Sequence, residues 1–131
     1  MNRTQILNTL QTGLPNLLAV YAFGSRLQGT ANAESDLDLA VLVAGYADPL
    51  VLWQLAGELA DIAACPVDLL DMRAASTVMQ YQIITTGQCW WAKDLQAPLF
   101  EAMILSEKTA LDTARAGILS DIQQQGHIYA R

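Results

Sequence analysis

The sequence predicts an α/β (α+β) domain: a small mixed central sheet of about four strands, flanked by helices and closed by a long C-terminal helix. Three observations carry this. Short apolar runs of strand length alternate with amphipathic stretches of helical period. Gly13 and Pro15, Gly24, Pro66 and Gly87 fall where these segments end. No internal repeat or low-complexity tract divides the 131 residues, a length suited to a single domain over 1–131.

The elements follow in order. Ile6, Leu7, Leu10 and Leu14 mark a short amphipathic helix from Thr4, stopped near Gly13 and Pro15. Leu17 to Phe23 is a continuous apolar run ending at Gly24-Ser25, which reads as a buried strand. A polar segment from Arg26 to Ser35 leads into a second strand, Asp36 to Val43. Asp48 caps a helix whose first turn accepts Pro49, and Leu52, Leu55, Leu59 and Ile62 share one face before Pro66 ends it. Val67 to Met72 is a third strand, Ala74 to Thr86 a helix closed by Gly87, and Cys89 to Ala92 a short fourth strand. The last helix runs from about 95 to 125, with Leu99, Met103, Leu111, Ala114, Ile118 and Ile122 at helical intervals and Gly126 as its cap.

Composition narrows the function. Apolar residues make up 53% and charged residues only 15%, so either the core is large or a partner covers apolar surface. A domain of this size buries roughly two-thirds of its unfolded surface and needs no disulfide or metal to hold its core. The net charge is −6, and the seven cations are scattered, which argues against nucleic acid as the direct ligand and suits a basic protein partner. Cys65 and Cys89 form no zinc pattern with the lone His127, and their apolar context predicts buried thiols in a reducing compartment. The N-terminus has no signal-peptide pattern, and no apolar run approaches the roughly 20 residues of a membrane span. A cytoplasmic protein without membrane contact is expected.

The chemistry sits between the first and third strands. Asp36 and Asp38, two apart in a strand, project from one face. Like charges so close repel, and the pair makes sense around a divalent cation. Mg²⁺ takes oxygen ligands, commonly one or two carboxylates plus phosphate oxygens. Asp68, just inside the third strand, completes a set able to hold two Mg²⁺ ions roughly 3.5–4 Å apart, the arrangement that serves in-line displacement at phosphorus. Asp71 is the rival third carboxylate. Strand parity puts it on the face opposite Asp68, unless a bulge intervenes. Gly24 lets the backbone approach a ligand, Ser25 adds a hydroxyl and backbone donors, and Arg26 adds charge, together a cradle for phosphates. There is no GxxxxGK[ST], so a Walker-type ATPase is excluded.

Each piece alone has an ordinary reading: a turn, a solvated strand edge, a surface acid. Together they form Gly-Ser-x10-Asp-x-Asp within GSRLQGTANAESDLDLAVLV. That segment resembles the signature of the DNA polymerase β-like nucleotidyltransferases, and the compact chain is similar to the minimal nucleotidyltransferase (MNT) type. The resemblance covers 17–91. It implies a metal-dependent transferase that uses ATP. Proteins of this type act as antitoxins of type VII-like toxin–antitoxin pairs, transferring AMP to a tyrosine of a cognate HEPN ribonuclease toxin. Carried over, Gly24 and Ser25 hold the triphosphate, Asp36 and Asp38 bind Mg²⁺, and Asp68 binds metal and activates the tyrosine hydroxyl. The resemblance implies a hetero-oligomer with the HEPN protein. Two other readings stand beside it: an antitoxin that neutralises by binding alone, and a small-molecule nucleotidyltransferase of the aminoglycoside-modifying kind.

Other residues take their ordinary roles. Trp53, Trp90 and Trp91 are expected in the core or at a partner interface rather than stacked on adenine. Tyr21 and Tyr46 are expected to pack, and His127 to lie near a frayed end. Leu99, Met103, Ile104 and Leu111 fit either core or a partner-facing surface.

Overall fold

The structure, a computed structural model, describes residues 2–24 and 36–125, of which 114–125 as backbone. Eight elements follow one another: α1 (Arg3–Gly13), β1 (Leu17–Phe23), β2 (Leu37–Val43), α2 (Pro49–Ala63), β3 (Val67–Asp71), α3 (Thr77–Thr86), β4 (Gln88–Ala92) and α4 (Gln96–Gln125). One turn of 3₁₀ helix, Met72–Ala74, joins β3 to α3. This is the helix and strand order that the sequence predicts.

Local chemistry sets most boundaries. Asn2 caps α1 by accepting the Gln5 backbone N–H at 3.0 Å. Asp48 caps α2 by accepting from Leu50 at 2.9 Å, and Pro49 occupies the first turn, where no N–H is required. The helix expected from Ala74 begins only at Thr77. Met72–Ala74 forms the 3₁₀ turn instead, and Ser76 caps α3 through the Met79 N–H. Gly87 closes α3 because a β-carbon there would press against the carbonyl oxygens of Ile83 and Ala22, at 2.5 and 2.6 Å.

The strand order is β3-β2-β1-β4. β1 pairs antiparallel with both β2 and β4, and β2 pairs parallel with β3. The sheet is mixed, as expected. A parallel pair needs a crossover, and α2 supplies it. Alternation divides the strand side chains between two apolar layers. Leu37, Leu39, Val41 and Val43 of β2 pack with Ile6 and Leu10 of α1 and Leu52, Leu55 and Leu59 of α2. Ala40 and Leu42 of β2, with Ala19 and Tyr21 of β1, pack on the other side against Ile83 of α3 and Phe100 and Ile104 of α4.

Two expectations about burial fail. Cys65 is buried, but Cys89 is exposed, because β4 is an edge strand with little laid over it. Tyr21 is buried, yet Tyr46 is 73% exposed, since it follows Gly45 in the loop beyond β2.

Ala64 ends α2 in the left-handed region, φ 57°. That conformation costs a residue with a β-carbon roughly 1–2 kcal/mol, while glycine's extra unfolded-state freedom offsets roughly 0.5–1 kcal/mol. Ala64→Gly should therefore raise stability by roughly 0.5–1 kcal/mol, read as a higher urea midpoint with an unchanged slope.

Candidate active site

The site lies where three strands meet at one end of the sheet. In the parallel pair, Asp38 of β2 stands directly beside Asp68 of β3. In the antiparallel pair, Asp38 faces Phe23, the last residue of β1, and Gly24 follows. Asp38 alternates with Ala40 and Leu42 and so shares the α3–α4 face of the sheet, as Asp68 does with Leu70. Leu37 between the acids is buried on the opposite face and donates its N–H to the Pro66 carbonyl at 2.9 Å. That bond fixes the start of β2 against the start of β3, and with it the Asp38–Asp68 register.

Gly24 has a direct steric role. Its φ is +90°, and a β-carbon built there would collide with the Asp38 carboxylate. The bare backbone leaves the carboxylate room, at the point where β1 ends.

Asp38 is half-buried, Asp68 and Asp36 exposed. Burial pushes the Asp38 carboxyl above its ordinary pKa, and the charges of Asp68 and then Asp36 add to this. Among the described residues, no three acidic, histidine or cysteine side chains converge to hold a metal ion. Asp38 and Asp68 stand together, with Asp36 at the strand mouth within electrostatic reach. Ser25 and Arg26 lie outside the described residues, as do Gly126 and His127.

The rival carboxylate, Asp71, is a structural group. It is buried, pairs in register with Val41, and so faces the α1–α2 layer. One oxygen accepts the Ala47 N–H at 2.9 Å, the other the Arg73 N–H at 3.0 Å. Parity in the sequence had placed it there, and no bulge interrupts β3. Trp90 and Trp91 are half-buried on β4, with the Arg3 guanidinium 4.5 Å from the Trp90 ring centre.

An apolar two-layer sheet with paired acids at its mouth, beside a glycine at a strand end, is a nucleotidyltransferase architecture. A family model described as Polymerase beta, Nucleotidyltransferase matches residues 4–96, and the chain belongs to that family. It is 37% identical over 122 residues to the protein adenylyltransferase MntA of Shewanella oneidensis, covering 93% of this chain and 88% of that protein. A toxin–antitoxin crystal structure with AMP-PNP contains a chain 36% identical to this one. The TM-score is 0.81, with 94% of this chain and 99% of the other covered. A tri-AMPylated Shewanella oneidensis HEPN toxin in complex with its MNT antitoxin gives a TM-score of 0.74 at 34% identity, covering 93% and 96%.

The two β3 acids should behave oppositely in stability measurements. Asp71→Ala leaves two backbone N–H groups without partners and should cost roughly 1–3 kcal/mol. Asp68→Asn removes a charge that opposes Asp38 and should leave the midpoint unchanged or raise it. Urea titrations of both variants at neutral pH and low salt check the contrast.

Proposed function

We propose that this chain is an antitoxin enzyme that transfers AMP from ATP to a tyrosine of a cognate HEPN ribonuclease toxin. The observation that carries the reading is the in-register pair Asp38–Asp68 beside Gly24, within a family of nucleotidyltransferases. The similarity to an adenylyltransferase and to an antitoxin bound to an AMPylated HEPN toxin supports the acceptor class.

The residues fit a divalent cation. The donors are all carboxylate oxygens, and Mg²⁺ completes its shell with water and substrate phosphates, so a closed protein cage is not required. Burial, and after it the charges of Asp68 and Asp36, raises the proton affinity of Asp38, and a divalent cation would offset both effects. Asp38 and Asp68, which stand together, would hold Mg²⁺, with Asp36 as the further ligand of a two-ion site, and the bound metal would supply charge neutralisation on the triphosphate and the departing pyrophosphate.

The protein's own groups do the rest. Gly24 keeps the end of β1 open, and Ser25 and Arg26 follow it as donors to the triphosphate. The tyrosine oxygen forms its bond to the α-phosphorus as the bond to pyrophosphate breaks in line. Asp68, exposed at the mouth of the site, accepts the hydroxyl proton. The product is a phosphodiester on the toxin, and the bulk and charge of AMP silence it. On this reading residues 1–131 form one catalytic domain that works in the cytoplasm as part of a hetero-oligomer.

Intact mass spectrometry of the HEPN partner after incubation with this chain, ATP and Mg²⁺ tests the proposal. Each transfer should add one AMP unit. Asp38→Asn should lower the rate at least 100-fold, on the order expected when a charged catalytic group is neutralised, and chelation of the cation should stop transfer. An unmodified partner in a stable complex would leave neutralisation by binding alone.

A further inference from the structure

The outward face of α2 presents two large apolar side chains that the described residues leave exposed. Leu52, Leu55 and Leu59 face the core, and Leu50, Trp53, Gly57 and Asp61 follow one another along the opposite side at helical spacing. Trp53 is 75% exposed and Leu50 60%. A β-carbon at Gly57 would meet nothing within 4 Å, so the surface beside Trp53 is open. The other two tryptophans are half-buried on β4, which makes Trp53 the exception.

The charged residues of α2 itself have one sign. Asp48, Glu58 and Asp61 are exposed on or beside α2, and the sequence has no lysine or arginine between Arg26 and Arg73. Arg73 lies on the other face, in a cleft with Tyr46, Phe100 and Ile104, where its Nε donates to the Val43 carbonyl at 2.9 Å and its guanidinium lies over the Phe100 ring. An aromatic anchor in an acidic rim calls for an apolar pocket in a basic rim. A second copy of this chain is the wrong occupant: a two-fold contact would set acidic rim against acidic rim.

Resting on the proposed function, we propose that the Leu50–Trp53–Gly57 stripe of α2 is the docking surface for a basic-rimmed apolar pocket on the HEPN partner. α2 packs on the sheet face opposite Asp38 and Asp68. Holding the partner and modifying it are therefore tasks of opposite faces, and mutation separates them. Trp53 is the anchor, of the residue type that dominates interface energetics.

The test measures affinity by titration calorimetry with the cognate HEPN protein whose acceptor tyrosine is changed to phenylalanine, so that binding is read without transfer. Trp53→Ala should weaken binding about 30-fold or more. Gly57→Arg adds bulk and a like charge opposite the basic rim. It should abolish binding without lowering the melting temperature, because arginine favours a helix interior more than glycine does. Asp38→Asn should bind as the wild type does, and rising ionic strength should weaken the wild-type complex. Wild-type affinity in both α2 variants, or no binding by the wild type, overturns the docking surface. So does a homodimer that sediments as monomer in Trp53→Ala. Loss of binding in the α2 variants, with no AMP transfer by the wild type to the unaltered partner, would overturn the enzymatic reading and leave the docking surface standing.

Discussion

Asp38 and Asp68 are adjacent because two parallel strands start together. The Leu37 N–H to Pro66 carbonyl bond sets that start, and the next ladder position places the two acids side by side. Like charges at this separation oppose folding unless the surrounding structure holds them in place. Here apolar residues flank the pair on both strands, and Leu37, Leu39 and Leu69 are buried beneath it. The register cannot slip by one residue without turning Asp38 into the core and Leu39 out of it. The hydrophobic pattern of β2 thus enforces an electrostatic arrangement that is unfavourable by itself.

The remaining elements serve that end of the sheet. α2 is the crossover that makes β2 and β3 parallel, and its sharp limits at Asp48–Pro49 and Ala64–Pro66 return the chain to the right edge. Asp71 ties the end of β3 to Ala47, in the loop that enters α2. This joins the two ends of the crossover unit. Gly24 closes the arrangement from the β1 side, where any side chain would take the space of the Asp38 carboxylate. One carboxylate on β3 thus serves the architecture and the other stands exposed beside Asp38, and strand parity alone separates them.

The division between faces gives the molecule its functional logic. The α3–α4 face carries the acids of a nucleotidyltransferase, and the α1–α2 face carries an uncovered aromatic stripe in an acidic rim. The net charge of −6 arises largely in the middle of the chain, which holds Asp36, Asp38, Asp68 and the acids of α2.

Much of this was legible in the sequence because its causes are local. The Asp48–Pro49 start of α2, the apolar runs of β1 and β2, and the Gly24 to Asp38 spacing each depend on a few neighbouring residues. The opposite orientations of Asp68 and Asp71 follow from the period of a strand. Family resemblance added the acceptor, which no residue announces. Tertiary structure decided what depends on distant contacts. The order β3-β2-β1-β4 leaves β4 at an edge, and so exposes Cys89 where its apolar neighbours suggested burial. Tyr46 reads as a residue that packs, yet stands in solvent on the loop beyond β2, and of the two places open to Trp53, core or partner interface, its exposure excludes the core. A sequence records how apolar a side chain is; which faces receive a covering layer is set by how the elements stack, since burial is a property of the assembled surface.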